Sequence, residues 1–99
     1  MKIFISQPMR GKTQEEILSE RERGIAFIKE QYPTEEVEII DTYFKDFDGN
    51  RLQFLGKSIM DGLAKADIAL FIGDFETYDG CCCEHFVAVK YGVQVRYFR

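Results

Sequence analysis

Two short stretches of this 99-residue chain, which include its three cysteines and its one histidine, combine the side chains best placed for covalent or acid–base chemistry. The first is Ser6-Gln7-Pro8-Met9-Arg10-Gly11-Lys12. It follows a β-prone run and leads into a helix. Free backbone N–H groups and the helix dipole make such a junction receptive to an anion or a sugar. Arg10 can grip a phosphate through two donors. The plain alternative is a tight strand-to-helix turn carrying two solvated cations. The second stretch, residues 73–85, contains Asp74, Asp79, Gly80, three consecutive cysteines, Glu84 and His85. Glu84 is expected in the first turn of a helix, where the dipole holds a carboxylate as the anion. A low pKa suits a nucleophile or an electrostatic stabiliser better than a general acid. Asp79 or Asp74 would supply the second carboxyl that chemistry on a glycosidic bond requires. The plain alternative for Glu84 is a capping contact at a helix start.

The cysteines point elsewhere. Adjacent side chains on a helix diverge by about 100°, so three in a row cannot converge on one zinc ion. Cys81 and His85 are four apart and offer two ligands, but the chain has no other histidine to finish a site. No metal and no cofactor is expected. Cys81 and His85 also have the spacing of a thiolate–imidazole pair at a helix N-terminus. The favoured reading is simpler: small residues packing a helix start against a sheet. Ser6 to Thr13 nearly fits a phosphate-binding P-loop, ending in Gly11-Lys12-Thr13. Ser6 stands at its first glycine, however, and Pro8 removes a backbone donor from the cradle. The P-loop reading is therefore set aside.

The elements that must position these loops follow from periodicity. Residues 2–6 are a short apolar strand. Thr13-Gln14-Glu15-Glu16 is a capping box, opening a helix over residues 14–31 that Pro33 closes. Residues 37–40 form a second strand, and residues 41–50 a connection with an Asp48-Gly49 turn. Leu52, Leu55, Ile59 and Leu63 recur at helical spacing, predicting a helix over 52–65. Residues 67–73 are almost unbroken in apolarity, as in a strand covered on both faces. A helix over residues 80–92 and a strand over 93–98 complete the chain. This alternation predicts a compact α/β Rossmann-like (flavodoxin-like) three-layer sandwich of about four parallel strands, in one domain spanning 1–99. Ligands of such folds bind beyond the C-terminal strand ends, which is where both loops must lie.

Composition narrows the partners. Thirteen basic against 17 acidic residues give a net charge of −4, with no basic stripe, so a nucleic-acid backbone is not an expected partner. No apolar run approaches the roughly 18 residues of a membrane span. The N-terminus lacks the apolar core of a signal peptide, and three adjacent cysteines form no disulfide framework, so a cytoplasmic protein is expected. So short a three-layer chain leaves apolar surface uncovered, and a homo-oligomer is expected.

Two motifs together resemble a known family. Phe4-Ile5-Ser6-Gln7-Pro8-Met9-Arg10-Gly11-Lys12 near the start, and residues 66–92 with Gly80-Cys81-Cys82-Cys83-Glu84 as their core, resemble the nucleoside 2-deoxyribosyltransferase-like family. The likeness is nearest to its small bacterial and phage members. It covers both ends of the chain well and residues 30–53 poorly. The resemblance implies a nucleoside or nucleotide ligand. It implies that Glu84 attacks C1′ of the sugar, forming a covalent glutamyl–sugar ester that a second base or water then resolves. By the same resemblance Asp79 or Asp74 would protonate or hold the departing base. Ser6, Gln7, Pro8, Met9, Arg10, Gly11 and Gly80 would bind substrate, and Arg10 would favour a 5′-phosphate. Two positions depart from the family pattern: Tyr78 stands where an acidic residue is common, and Gln7 where glycine is frequent. The alternative function is a nucleotide-binding sensor or assembly protein without turnover.

Overall fold

The computed structural model describes residues 1–42 and 47–99. In chain order it contains β1 (Lys2–Ser6), α1 (Gln14–Gln31), β2 (Glu38–Ile39), α2 (Arg51–Asp61), β3 (Ile68–Ile72), α3 (Asp79–Lys90) and β4 (Gln94–Phe98). Two single-turn 3₁₀ segments, Leu63–Lys65 and Phe75–Thr77, lead into and out of β3. The strands form one all-parallel sheet in the order β2-β1-β3-β4. The expected α/β sandwich is therefore present. The strand order reverses direction between β1 and β3, so the crevice for a ligand opens beyond Ser6 and Ile72.

Side-chain alternation on the two central strands assigns each helix to a face. Ile3 and Ile5 of β1, with Ile68, Leu70 and Ile72 of β3, pack with Ile28 of α1; Ile25 and Phe27 lie against them. Phe4, Ala69 and Phe71 face the other way, onto Leu63, Phe75, Cys81 and Ala88, with Ile59 of α2 and Val87 of α3 beside them. Every residue of β3 is buried. Full burial of each such Ile, Leu or Phe is worth about 1.5–3 kcal/mol. The alternation Phe4, Ser6 places the Ser6 hydroxyl on the α2–α3 face of the sheet.

Local signals explain most helix ends. At α1 the Glu16 N–H donates to Thr13 Oγ1 at 3.1 Å, and the Thr13 N–H donates to Glu16 Oε1 at 3.0 Å. A second capping box opens α2: Asn50 and Gln53 exchange side-chain and backbone bonds, both 2.8 Å. The helix expected to reach residue 65 stops at Asp61 instead. At Gly62 a Cβ would lie 2.7 Å from the Ser58 carbonyl oxygen, 2.7 Å from Thr42 Cγ2 and 2.8 Å from Phe4 Cδ1. The chain thus turns where it crosses Phe4, and only glycine fits. The expected second strand shortens to two residues, although the Ile40 N–H still donates to the Ile3 carbonyl at 2.9 Å. Of the expected connection over 41–50, residues 43–46 lie outside the described residues. Among the described residues, no helix is long and apolar enough to cross a membrane.

Candidate functional site

Beyond the ends of β1 and β3 lies a cavity of about 400 Å³, within the range of small-molecule sites. Three segments and Thr42 wall it: residues 5–10 from β1 and its loop, one side of α2 from Arg51 to Ser58, and residues between Tyr78 and Glu84 in α3 and its lead-in. The lining is largely apolar, including Pro8, Met9, Leu52, Phe54 and Leu55. Among the described residues its charged members are Arg10, Arg51, Asp79 and Glu84.

Glu84 is 7% exposed and is gripped from two sides. Ser6 Oγ donates to Oε1 at 2.6 Å, and Ser58 Oγ donates to Oε2 at 2.6 Å. The three side chains come from β1, α2 and α3, so this network joins the elements of one face at a single carboxyl. Each carboxylate oxygen retains a second lone-pair direction. The expectations for Glu84 are corrected in two respects. It is the sixth residue of α3, in the second turn rather than the first. Burial raises its pKa above the ordinary glutamate value, opposed by the Ser58 and Ser6 hydroxyls. At this depth loss of water outweighs a dipole concentrated in the first turn.

The remaining sequence candidates separate. Pro8, Met9, Arg10 and Gly80 line the cavity with Ser6. Gln7 also lines it, but its side chain is committed to α1. Its Nε2 donates to the Ile17 carbonyl at 3.0 Å, and its Oε1 accepts from Arg21 Nη1 at 3.3 Å. Gly11 is not part of the wall; at φ +81° it makes the turn closed by the Lys12 N–H on the Met9 carbonyl. Asp79 stands at the rim, ion-paired to Arg51 at 3.3 Å. Asp74 lies outside the wall, where its backbone carbonyl accepts from the Thr77 hydroxyl at 3.0 Å.

The cysteine–histidine pairing is not formed. His85 Nε2 hydrogen-bonds with the Tyr97 hydroxyl at 2.7 Å, and its ring packs on Phe71 and Phe75. Cys81 is buried, with its thiol pKa pushed up to about 11 by desolvation, against a hydrogen bond with Ser6. A thiol so placed is a packing group rather than a nucleophile. Among the described residues, no group of three or more His, Cys, Asp or Glu is gathered to hold a metal.

Sequence reasoning missed the α2 wall. Ser58 is the one buried residue of α2 and holds half of the Glu84 carboxyl. Its signal was available: a serine three after Leu55 falls on the apolar face of the helix. Tyr78, at the position where the family pattern has an acid, is half-buried on the wall. No protein-family model matches the chain, and neither a curated protein nor a solved structure matches it.

Proposed function

We propose that the protein cleaves the N-glycosidic bond of a nucleoside or nucleotide, or transfers its deoxyribosyl group, with Glu84 as the nucleophile. The observation that carries this reading is the Glu84 carboxyl, fixed by two serine hydroxyls at the base of a cavity at the topological switch point. In the first step a Glu84 oxygen bonds to C1′ and the C1′–N bond breaks. Its electron pair leaves with the base, which takes up a proton from solvent water at the open rim. Among the described residues, Asp79 is the rim carboxylate placed to hold the departing base by accepting a hydrogen bond, whereas Asp74 is off the wall. In the second step water, or another base, bonds to C1′ as the C1′–O bond to Glu84 breaks; the carboxylate is restored and the proton that the water oxygen or the incoming base nitrogen loses passes to solvent. Two displacements retain configuration at C1′. Fixing the carboxyl rotamer before substrate arrives is the contribution of Ser6 and Ser58.

Brief incubation with the common 2′-deoxynucleosides and their 5′-monophosphates, followed by intact mass measurement, tests this. A sugar-sized adduct is expected, absent from Glu84→Ala. Neither adduct nor free base from any of these substrates would sink the reading.

One observation favours binding without turnover. Both Glu84 oxygens already accept hydroxyl hydrogens, and burial favours the neutral acid, as in a structural polar cluster. A ligand-dependent rise in Tm with no product supports that alternative. Self-association belongs to the same proposal. Leu52 at the cavity wall is 75% exposed, and sedimentation at micromolar concentration reads whether a second copy is present.

A further inference from the structure

The outward side of α3 differs from that of α1. α1 presents charges to solvent along its length, among them Glu15, Glu22, Arg23, Lys29 and Glu30. α3 buries Cys81, Glu84 and Ala88 toward the sheet, yet its opposite side is apolar too. At 3.6 residues per turn, Asp79, Cys82, Cys83, Phe86, Val89 and Lys90 share that side. Cys82 and Cys83 are exposed, Phe86 is 61% exposed and Val89 55%. On that side no charge stands between Asp79, the first residue of the helix, and Lys90, the last. A helix that is apolar all round is ordinarily covered on both sides, and a contiguous exposed apolar patch marks a contact surface. The cysteine run then divides: Cys81 packs inward, and Cys82 and Cys83 are small apolar members of the outer side.

We infer that the outward side of α3 is the contact between two copies of this chain, packed antiparallel about a twofold axis near the middle of the helix. The inference rests on the self-association proposed above and assigns its surface; it is independent of what the cavity binds. The charges point to a second copy as the occupant. Reversing α3 about its midpoint brings Asp79 opposite the partner's Lys90 at each end, and Cys83 opposite the partner's Phe86. A twofold contact requires a patch that is self-complementary in this way. Both charges border the apolar patch. Among the described residues Arg51 engages Asp79 through Oδ2, at 3.3 Å, and Lys90 Nζ lies 5.5 Å from the centre of the Phe86 ring. The exposed edge of β4 is the other route to a second copy, and it is blunted: Arg96 Nη1 donates to the Val95 carbonyl at 2.9 Å. A twelve-residue helix is about 18 Å long. One such pair falls short of the roughly 800 Å² per partner of a standard interface. The dimer is therefore expected to dissociate with a Kd of about 1–100 μM.

Sedimentation equilibrium across that concentration range reads the monomer–dimer balance of the native protein. Phe86→Asp is expected to weaken the dimer at least about hundredfold, and Lys90→Asp about three- to tenfold. Asp79→Lys combined with Lys90→Asp exchanges the two charges and is expected to restore the affinity that Lys90→Asp alone loses. Leu18→Gln, on α1 across the sheet, is expected to leave the dimer unchanged. Circular dichroism establishes that each variant is folded. Alkylation of Cys82 by iodoacetamide, located by peptide mass, is expected to slow severalfold as the native protein is concentrated through its Kd. A monomer at every concentration overturns this inference together with self-association, and leaves the nucleoside-cleaving reading standing. A dimer that survives Phe86→Asp, or in which Cys82 reacts as fast as in the monomer, has its contact elsewhere and overturns this inference alone. A charge exchange that binds no tighter than Lys90→Asp overturns the antiparallel register.

Discussion

Burial and hydrogen bonding pull the Glu84 carboxyl in opposite directions. Burial, the larger effect, favours the neutral acid; the Ser58 and Ser6 hydroxyls favour the carboxylate. A carboxyl whose folded pKa is raised lets the folded state hold more protons than the unfolded one between the two values. Stability therefore declines as pH rises from 4.5, the ordinary glutamate value, through the folded pKa. Glu84→Gln removes that titration while keeping the shape, so its Tm relative to the native protein should climb between pH 4 and pH 8. A pH-independent difference would contradict the raised pKa. A nucleophilic Glu84 must be ionised, so kcat/KM should fall toward acid, with the limb above 4.5. Loss of activity toward alkali instead would assign Glu84 as an acid. Ser58→Ala strips one donor from a buried oxygen, which costs roughly 1–3 kcal/mol. It should lower Tm by several degrees and move the acidic limb higher still. Glu84 and Ser6 are legible in the sequence because each stands at the ligand end of a recognisable element. Ser58 is not, because helical periodicity shows that a face is apolar without showing which neighbour it meets.

At the scale of elements, the site depends on how closely α2 crosses β1. Gly62 sets that approach, since a Cβ there would lie within 2.8 Å of Ser58, Thr42 and Phe4 at once. Two of those contacts are with buried side chains and one is with backbone, so little can yield. Gly62→Ala is expected to cost about 1–3 kcal/mol by overpacking, lowering Tm by roughly 5–15 °C. Because the strain falls on the Ser58 carbonyl, ligand affinity should drop as well. A fully stable Gly62→Ala protein would show that α2 can tilt away from the sheet without loss. Gly24 offers the contrast. Its Cβ would meet Ile72 Cδ1 at 2.7 Å, the far end of a flexible side chain, and alanine gains up to about 1 kcal/mol of helix propensity. The two effects oppose, so Gly24→Ala should be far milder than Gly62→Ala. Which elements exist could be read from apolar runs and caps. Where α2 ends could not, because the deciding contact comes from Phe4, nearly sixty residues away in sequence. The Asn50–Gln53 cap was equally readable but was masked by the Asp48-Gly49 turn signal just before it.

Across the whole molecule, stability is unevenly spread over the walls of the site. β3 is buried along its full length, and β1 is buried from Ile3 onward. α2 buries only Ser58 among its eleven residues, and that residue is tied to Glu84 rather than to an apolar core. Segments with few buried apolar contacts open at lower free energy than the global transition. Amides of α2 should therefore exchange with solvent faster than those of β1 and β3, read by hydrogen exchange with mass detection. A ligand seated against Leu52, Phe54 and Leu55 on one side and Pro8 and Met9 on the other would close α2 onto the sheet. Ligand at a hundred times Kd stabilises the folded state by about 2.7 kcal/mol. That stabilisation should appear chiefly as slowed exchange in α2 and in residues 78–84, with the already slow β3 changing least. Uniform slowing across every element would mean that α2 opens only when the whole domain does. The site would then be a rigid cleft whose α2 wall, like the serine–glutamate–serine network it carries, is already in place before any ligand arrives.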